Sequence, residues 1–90
     1  VTEQKIQKDI VKYLESRGAY VVKVVKATKS GVPDVVACLN GLFIAIEVKK
    51  PGGKVSKLQE YNISKVRDSG GLAFVAYGVE DVKNYFEECS

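Results

Sequence analysis

Ninety residues, 46% of them apolar and 28% charged, predict one globular domain over 1–90 with a modest core, and exclude a disordered, fibrous or membrane-spanning chain. Because there is no histidine, Ser-His-Asp and Cys-His catalysis and imidazole-ligated metals are excluded, leaving carboxylates, lysines and hydroxyls for any chemistry. The net charge of +3 is uneven: residues 1–57 carry 11 Lys/Arg against 5 Asp/Glu, and residues 58–90 carry 3 against 6, so a basic stretch suited to a polyanion precedes an acidic one.

Thr2 is the expected N-cap of a helix running to about Arg17, with Ile6, Ile10 and Leu14 at helical spacing and Gly18 as its stop. Three strand-like runs follow, Tyr20 to Ala27, Val32 to Leu39 and Leu42 to Lys50. Asn40-Gly41 is a hairpin signal between the second and third, which predicts an antiparallel meander. Cys38 falls in an apolar run and reads as a reduced core thiol; Cys89 reads as a second reduced thiol. Pro51-Gly52-Gly53 ends the third strand, and Ser56 opens a helix to about Ser69.

Leu72 to Tyr77 is apolar throughout and reads as an interior strand, parallel to the third across the intervening helix. A last helix, about Glu80 to Glu88, offers Val79, Val82, Tyr85 and Phe86 for packing. The expected fold is α/β, in the order αβββαβα with a mixed four-stranded sheet. The polar start of the chain and the lack of a long apolar run predict an intracellular protein with no membrane contact.

Residues two apart on a strand share a face, so Glu47 and Lys49 project together while Ile44, Ile46 and Val48 project the other way. Alone, such a pair is most simply a solvated charge pair. Asp34, after Gly31-Val32-Pro33, alters that reading: with the turn centred on Asn40-Gly41, it falls opposite residues 47 to 48. Two acids and a lysine therefore converge by register. Hard oxygen ligands suit Mg²⁺ or Mn²⁺, with the Val48 carbonyl and waters completing the shell. Lys49 fits three roles at a phosphodiester: orienting the attacking water, lowering its pKa, or stabilising the charge that develops.

Gly31-Val32-Pro33-Asp34, Glu47-Val48-Lys49-Lys50-Pro51-Gly52 and Gln59 together resemble the PD-(D/E)-x-K nuclease superfamily, and most closely its stand-alone VRR-NUC domains, relatives of Holliday-junction resolvases. The resemblance implies a restriction-endonuclease-like αβββαβ core with a C-terminal helix. It implies Asp34 and Glu47 as metal ligands, Lys49 as the catalytic lysine, Gln59 facing the site, and Glu3 as a candidate to complete a metal site. Each of the last two also has a plain reading: Gln59 closes a capping box with Ser56, and Glu3 is an acid favoured at a helix N-terminus.

Lys26, Lys29, Ser30, Lys50, Lys54 and Lys57 are candidate contacts to the nucleic-acid backbone, whereas Lys23 and Lys26 also fit the wet face of an edge strand. The aromatic residues sit mostly in apolar patterns, with no ladder for stacking bases. The function expected is a Mg²⁺- or Mn²⁺-dependent endonuclease of branched DNA, such as four-way junctions, working as a homodimer with Phe74, Tyr77, Tyr85 and Phe86 as candidate interface residues. The alternative is a branched-DNA-binding module that needs a partner to cut.

Overall fold

The apolar spacing of the first helix and the alternation of the strands set up a sheet with a helix layer on each face. The computed structural model describes residues 1–88; Cys89 lies outside them. Helix α1 (Glu3–Ser16) begins at Thr2, whose hydroxyl accepts from the Lys5 N–H at 3.1 Å, and buries Ile6, Ile10 and Leu14. Three strands follow, β1 (Tyr20–Lys23), β2 (Val35–Leu39) and β3 (Leu42–Val48), then α2 (Lys57–Asp68), β4 (Leu72–Ala76) and α3 (Val79–Glu88).

The sheet order is β1-β2-β3-β4, with β1, β2 and β3 antiparallel and β4 parallel to β3. Asn40 and Gly41 take φ of 52° and 81°, the paired left-handed conformations of a two-residue hairpin, and Leu39 pairs with Leu42 across them. The resulting register sets Val35 against Ile46. Alternation divides the residues of the sheet between two cores. Val35, Ala37, Ile44, Ile46, Val48, Phe74 and Ala76 pack with Ile6, Ile10, Leu14 and Val82 of α1 and α3. Ala45 and Ala73 pack with Ile63 of α2, joined by the partly buried Val36, Val66 and Val75.

Several boundaries and environments differ from expectation. Strand β1 stops at Lys23, because residues after Val24 leave the ladder and Val25 is 93% exposed. Strand β2 begins at Val35, since Pro33 has no N–H to give a ladder. Strand β3 ends at Val48, although the Lys49 N–H still reaches the Ala76 carbonyl at 3.0 Å.

Strand β4 is an edge strand, and its continuous apolar character reflects cover on both faces. Cys38 is exposed: it shares a face with Val36, on the side where the smaller α2 core lies, and it takes no part in that core. Of the proposed interface residues, Phe74 is 7% exposed and stacks on Tyr85 with ring centroids 4.3 Å apart, and Phe86 packs against the same core. Only Tyr77, 41% exposed, is open to a partner. Among the described residues no helix is long and apolar enough to cross a membrane.

Candidate active site

The register that pairs Val35 with Ile46 places the next position of each strand, Asp34 and Glu47, side by side at the end of the sheet that carries the β1–β2 connection. Both lie on the face covered by α2, because their neighbours Val35, Ile46 and Val48 belong to the opposite core. Asp34 is held there by its own carboxylate: Oδ2 accepts from the Val48 N–H at 2.9 Å, extending the hairpin by a side-chain bond. Lys49, two residues beyond Glu47, projects to the same side and is partly buried.

Glu47 is only 2% exposed and is the one buried charged residue among those described. Its Oε2 accepts from Gln59 Nε2 at 3.2 Å, while Oε1 is fully buried and no N–H or hydroxyl of the chain donates to it. Two ionised carboxylates cannot hydrogen-bond each other, so either a proton or a cation belongs between them. Without a metal, the surroundings favour the proton. Burial, then the hydrogen bond to Asp34 and its charge, push the Glu47 carboxyl up to about 8; Lys49 pulls it down and Glu3 adds a further push upward.

Gln59 does both of the things its sequence position allows. Its backbone N–H donates to Ser56 Oγ at 3.1 Å, its Oε1 accepts from the Ser56 N–H at 2.8 Å, and its Nε2 is left free for Glu47. The capping box therefore fixes the amide that orients the buried acid. Glu3 lies at the start of α1 and its Oε2 accepts from the Lys50 N–H at 3.3 Å, which ties the first helix to the strand end carrying Glu47 and Lys49.

The loop before Asp34 is pinned from α2 by a residue that the sequence reading did not single out. Asn62 Nδ2 donates to the Ser30 carbonyl at 3.2 Å and to the Leu58 carbonyl at 2.9 Å. Its place one turn after Gln59, on the same side of the helix, is the signal that could have found it. Gly31 sits against this clamp with φ of 76°, and a Cβ there would meet Leu58 Cγ at 2.8 Å and the Leu58 carbonyl carbon at 3.1 Å. Gly31→Ala is therefore expected to cost about 1 to 3 kcal/mol from the left-handed conformation and the close approach combined. Urea unfolding of the variant beside wild type measures it; equal midpoints would refute the tight fit.

The candidate backbone contacts fall on two connections. Lys26, Lys29 and Ser30 lie exposed between β1 and β2; Lys50 and Lys54 lie exposed between β3 and α2, with Lys57 opening α2. The first stretch precedes Asp34 and the second follows Glu47 in the chain. A larger apolar hollow, about 600 Å³, is lined by Val32, Pro33, Phe43 and Val66 with Lys29 and Lys65, but it does not include the acids. The acids, the buried oxygen that receives no donor, and the lysine make this the candidate site.

The donor set fits a hard divalent cation. Asp34 and Glu47 offer oxygen ligands, and Glu47 Oε1 is a buried acceptor without a donor. Among the described residues no third acid, cysteine or histidine joins them in a cluster, so an ion here would rest on two carboxylates, the Val48 carbonyl and water, a set that suits Mg²⁺ or Mn²⁺.

A mixed sheet between helix layers, with two acids meeting at the end of a hairpin and a lysine two residues on, is the arrangement that the resemblance to PD-(D/E)-x-K nucleases implies. The sequence profile of the VRR-NUC domain matches residues 1–80, and the chain belongs to that nuclease family. Among solved structures, one described as a VRR-NUC domain is 27% identical, with a TM-score of 0.84 over 98% of this chain and 97% of its own. A second, described as a VRR-NUC domain protein, shares the fold at 20% identity and a TM-score of 0.77, over 97% of this chain and 86% of its own. The Holliday junction resolvase Hjc of Archaeoglobus fulgidus is 26% identical, with a TM-score of 0.63 over 81% of this chain and 65% of its own. No curated relative matches the chain in sequence.

Proposed function

We propose that the chain is a Mg²⁺- or Mn²⁺-dependent DNA endonuclease that acts on branched substrates such as four-way junctions. The observation that carries this reading is the buried Glu47 oxygen without a donor, set beside Asp34. Likeness to a Holliday junction resolvase supports the branched substrate. Asp34, Glu47 and the Val48 carbonyl would hold the ion, which would supply charge neutralisation at the phosphoryl oxygens and a more acidic bound water.

The chain's own groups do the rest. Gln59 orients the Glu47 carboxylate through Oε2, leaving Oε1 for the ion. Lys49 faces the same side and orients the attacking water or stabilises the charge that grows on the phosphate. Glu3, outside the carboxylate pair, accepts from the Lys50 N–H, and its charge adds to the negative field felt by Glu47. Lys26, Lys29, Ser30, Lys50, Lys54 and Lys57 contact the backbone on either side of the scissile bond, without reading sequence. Two copies about a two-fold axis would present two such sites to two strands of a junction.

The test is cleavage of an end-labelled four-way junction and of a linear duplex of the same sequence, with Mg²⁺, Mn²⁺ or EDTA. Cleavage confined to the metal-containing reactions, and at least tenfold faster on the junction, is expected. Equal rates on both substrates would remove the branched specificity; cleavage in EDTA would remove the metal.

A further inference from the structure

Three lysines outside the site converge on the other side of the sheet. Lys8 and Lys12, one turn apart on α1, and Lys23 on β1 line a single groove of about 380 Å³ with Gln4 and Val11. Lys23 pairs with Val35, which belongs to the core under α1, so the Lys23 side chain projects toward that helix. The ion pairs among the described residues join Lys5 to Asp9 and Lys83 to Glu80, and none of the three groove lysines meets a carboxylate. Like charges one turn apart work against a helix. A groove lined by three lysines and no acid carries positive charge that a polyanion can neutralise.

The groove also adjoins the active site at two points. Gln4 follows Glu3, whose carboxylate accepts from the Lys50 N–H. Lys23 precedes Val24, whose N–H donates to the Asp34 carbonyl at 2.8 Å. From Gln4 to Lys12 the helix rises about 12 Å at ~1.5 Å per residue, the length of three to four backbone steps of duplex at ~3.4 Å each.

We infer that this groove binds the sugar–phosphate backbone of a second strand or arm of the DNA substrate, on the face of the sheet opposite the strand being cut. A run of phosphates fits better than one small anion, because the lysines are distributed along the groove and each is a point charge that grips phosphate without reading sequence. The sheet then lies between two DNA segments, which a branched substrate can supply and a single short duplex cannot.

The inference rests on the reading of the chain as a DNA nuclease, and one experiment separates the two. Fluorescence anisotropy of a labelled four-way junction is followed in EDTA, from about 50 to 200 mM salt, the range over which phosphate contacts weaken steeply. Wild type is compared with Lys8→Gln/Lys12→Gln/Lys23→Gln and with the corresponding triple arginine variant. The glutamine variant should show a log–log salt slope shallower by about 2 to 3, near 0.9 per lost contact, and bind at least tenfold more weakly at the low-salt end.

The arginine variant should keep the wild-type slope. Melting of the glutamine variant should occur at or above the wild-type temperature, because a like-charge pair has gone. Equal slopes in wild type and glutamine variant would overturn the groove and leave the nuclease reading standing. Wild type without salt-sensitive DNA binding would overturn both.

Discussion

Asp34→Asn is expected to lower metal-dependent cleavage by about 10³-fold or more while leaving the fold in place. The substitution is chosen because Asp34 has two tasks. In the proposed site its charge is half of the carboxylate set for a cation, and its Oδ2 accepts from the Val48 N–H at 2.9 Å at the point where β2 and β3 would otherwise part. Asparagine keeps an oxygen for that N–H and loses the charge. Asp34→Ala loses both, and leaves a backbone donor unpaired beside a fully buried Val48, at a further cost of about 1 to 3 kcal/mol.

Three measurements distinguish these effects: single-turnover cleavage of a junction, Mn²⁺ binding by calorimetry, and thermal unfolding. Asparagine should fail the first two and pass the third, whereas alanine should fail all three. Lys49→Ala should bind Mn²⁺ as wild type does and still lose about 10² to 10⁴ in rate, because it supplies a group to the reaction and none to the ion. Cleavage by Asp34→Asn within tenfold of wild type would sink the assignment of the site.

The pairing behind that prediction is legible in the sequence because a hairpin is a counting problem. Asn40-Gly41 fixes the turn, alternation fixes the faces, and counting back from the turn sets Asp34 next to Glu47. The double role of Gln59 is half legible: Ser56 three residues before it announces the capping box, but only α2 laid on the sheet brings its amide to Glu47.

What the sequence hides are contacts between elements far apart in the chain. Asn62 reaching Ser30, Glu3 reaching Lys50, and Lys23 joining Lys8 and Lys12 each depend on how a helix sits on a sheet, which neither period nor turn chemistry encodes. Cys38 shows the same limit from the apolar side. A run of Val, Ala, Cys and Leu looks buried throughout, but one face of β2 passes beyond the small α2 core, and Cys38 is exposed on it.

Glu47→Gln should make the metal-free protein more stable than wild type at alkaline pH, and the sign follows from linkage. The Glu47 carboxyl is raised from 4.5 to about 8 in the folded protein, chiefly by burial. Between those values the folded chain holds a proton that the unfolded chain has released, so stability falls as pH rises, by about 1.4 kcal/mol per pH unit for this group. The contribution is complete below about 4.5 and is lost as pH passes through about 8.

Glutamine is neutral at every pH and nearly isosteric. Denaturant unfolding in EDTA at pH 6 and pH 9 should therefore show wild type losing stability relative to Glu47→Gln by about 2 to 4 kcal/mol across that interval. Parallel curves would mean that the buried acid does not hold its proton. Adding Mn²⁺ should reverse the order. An ion that binds only the ionised acid displaces the proton and stabilises wild type increasingly as pH rises, whereas the glutamine variant gains little at any pH. The same buried oxygen that weakens the empty site at high pH is then the one that makes the loaded site strong, so stability without metal is given up in favour of affinity for it.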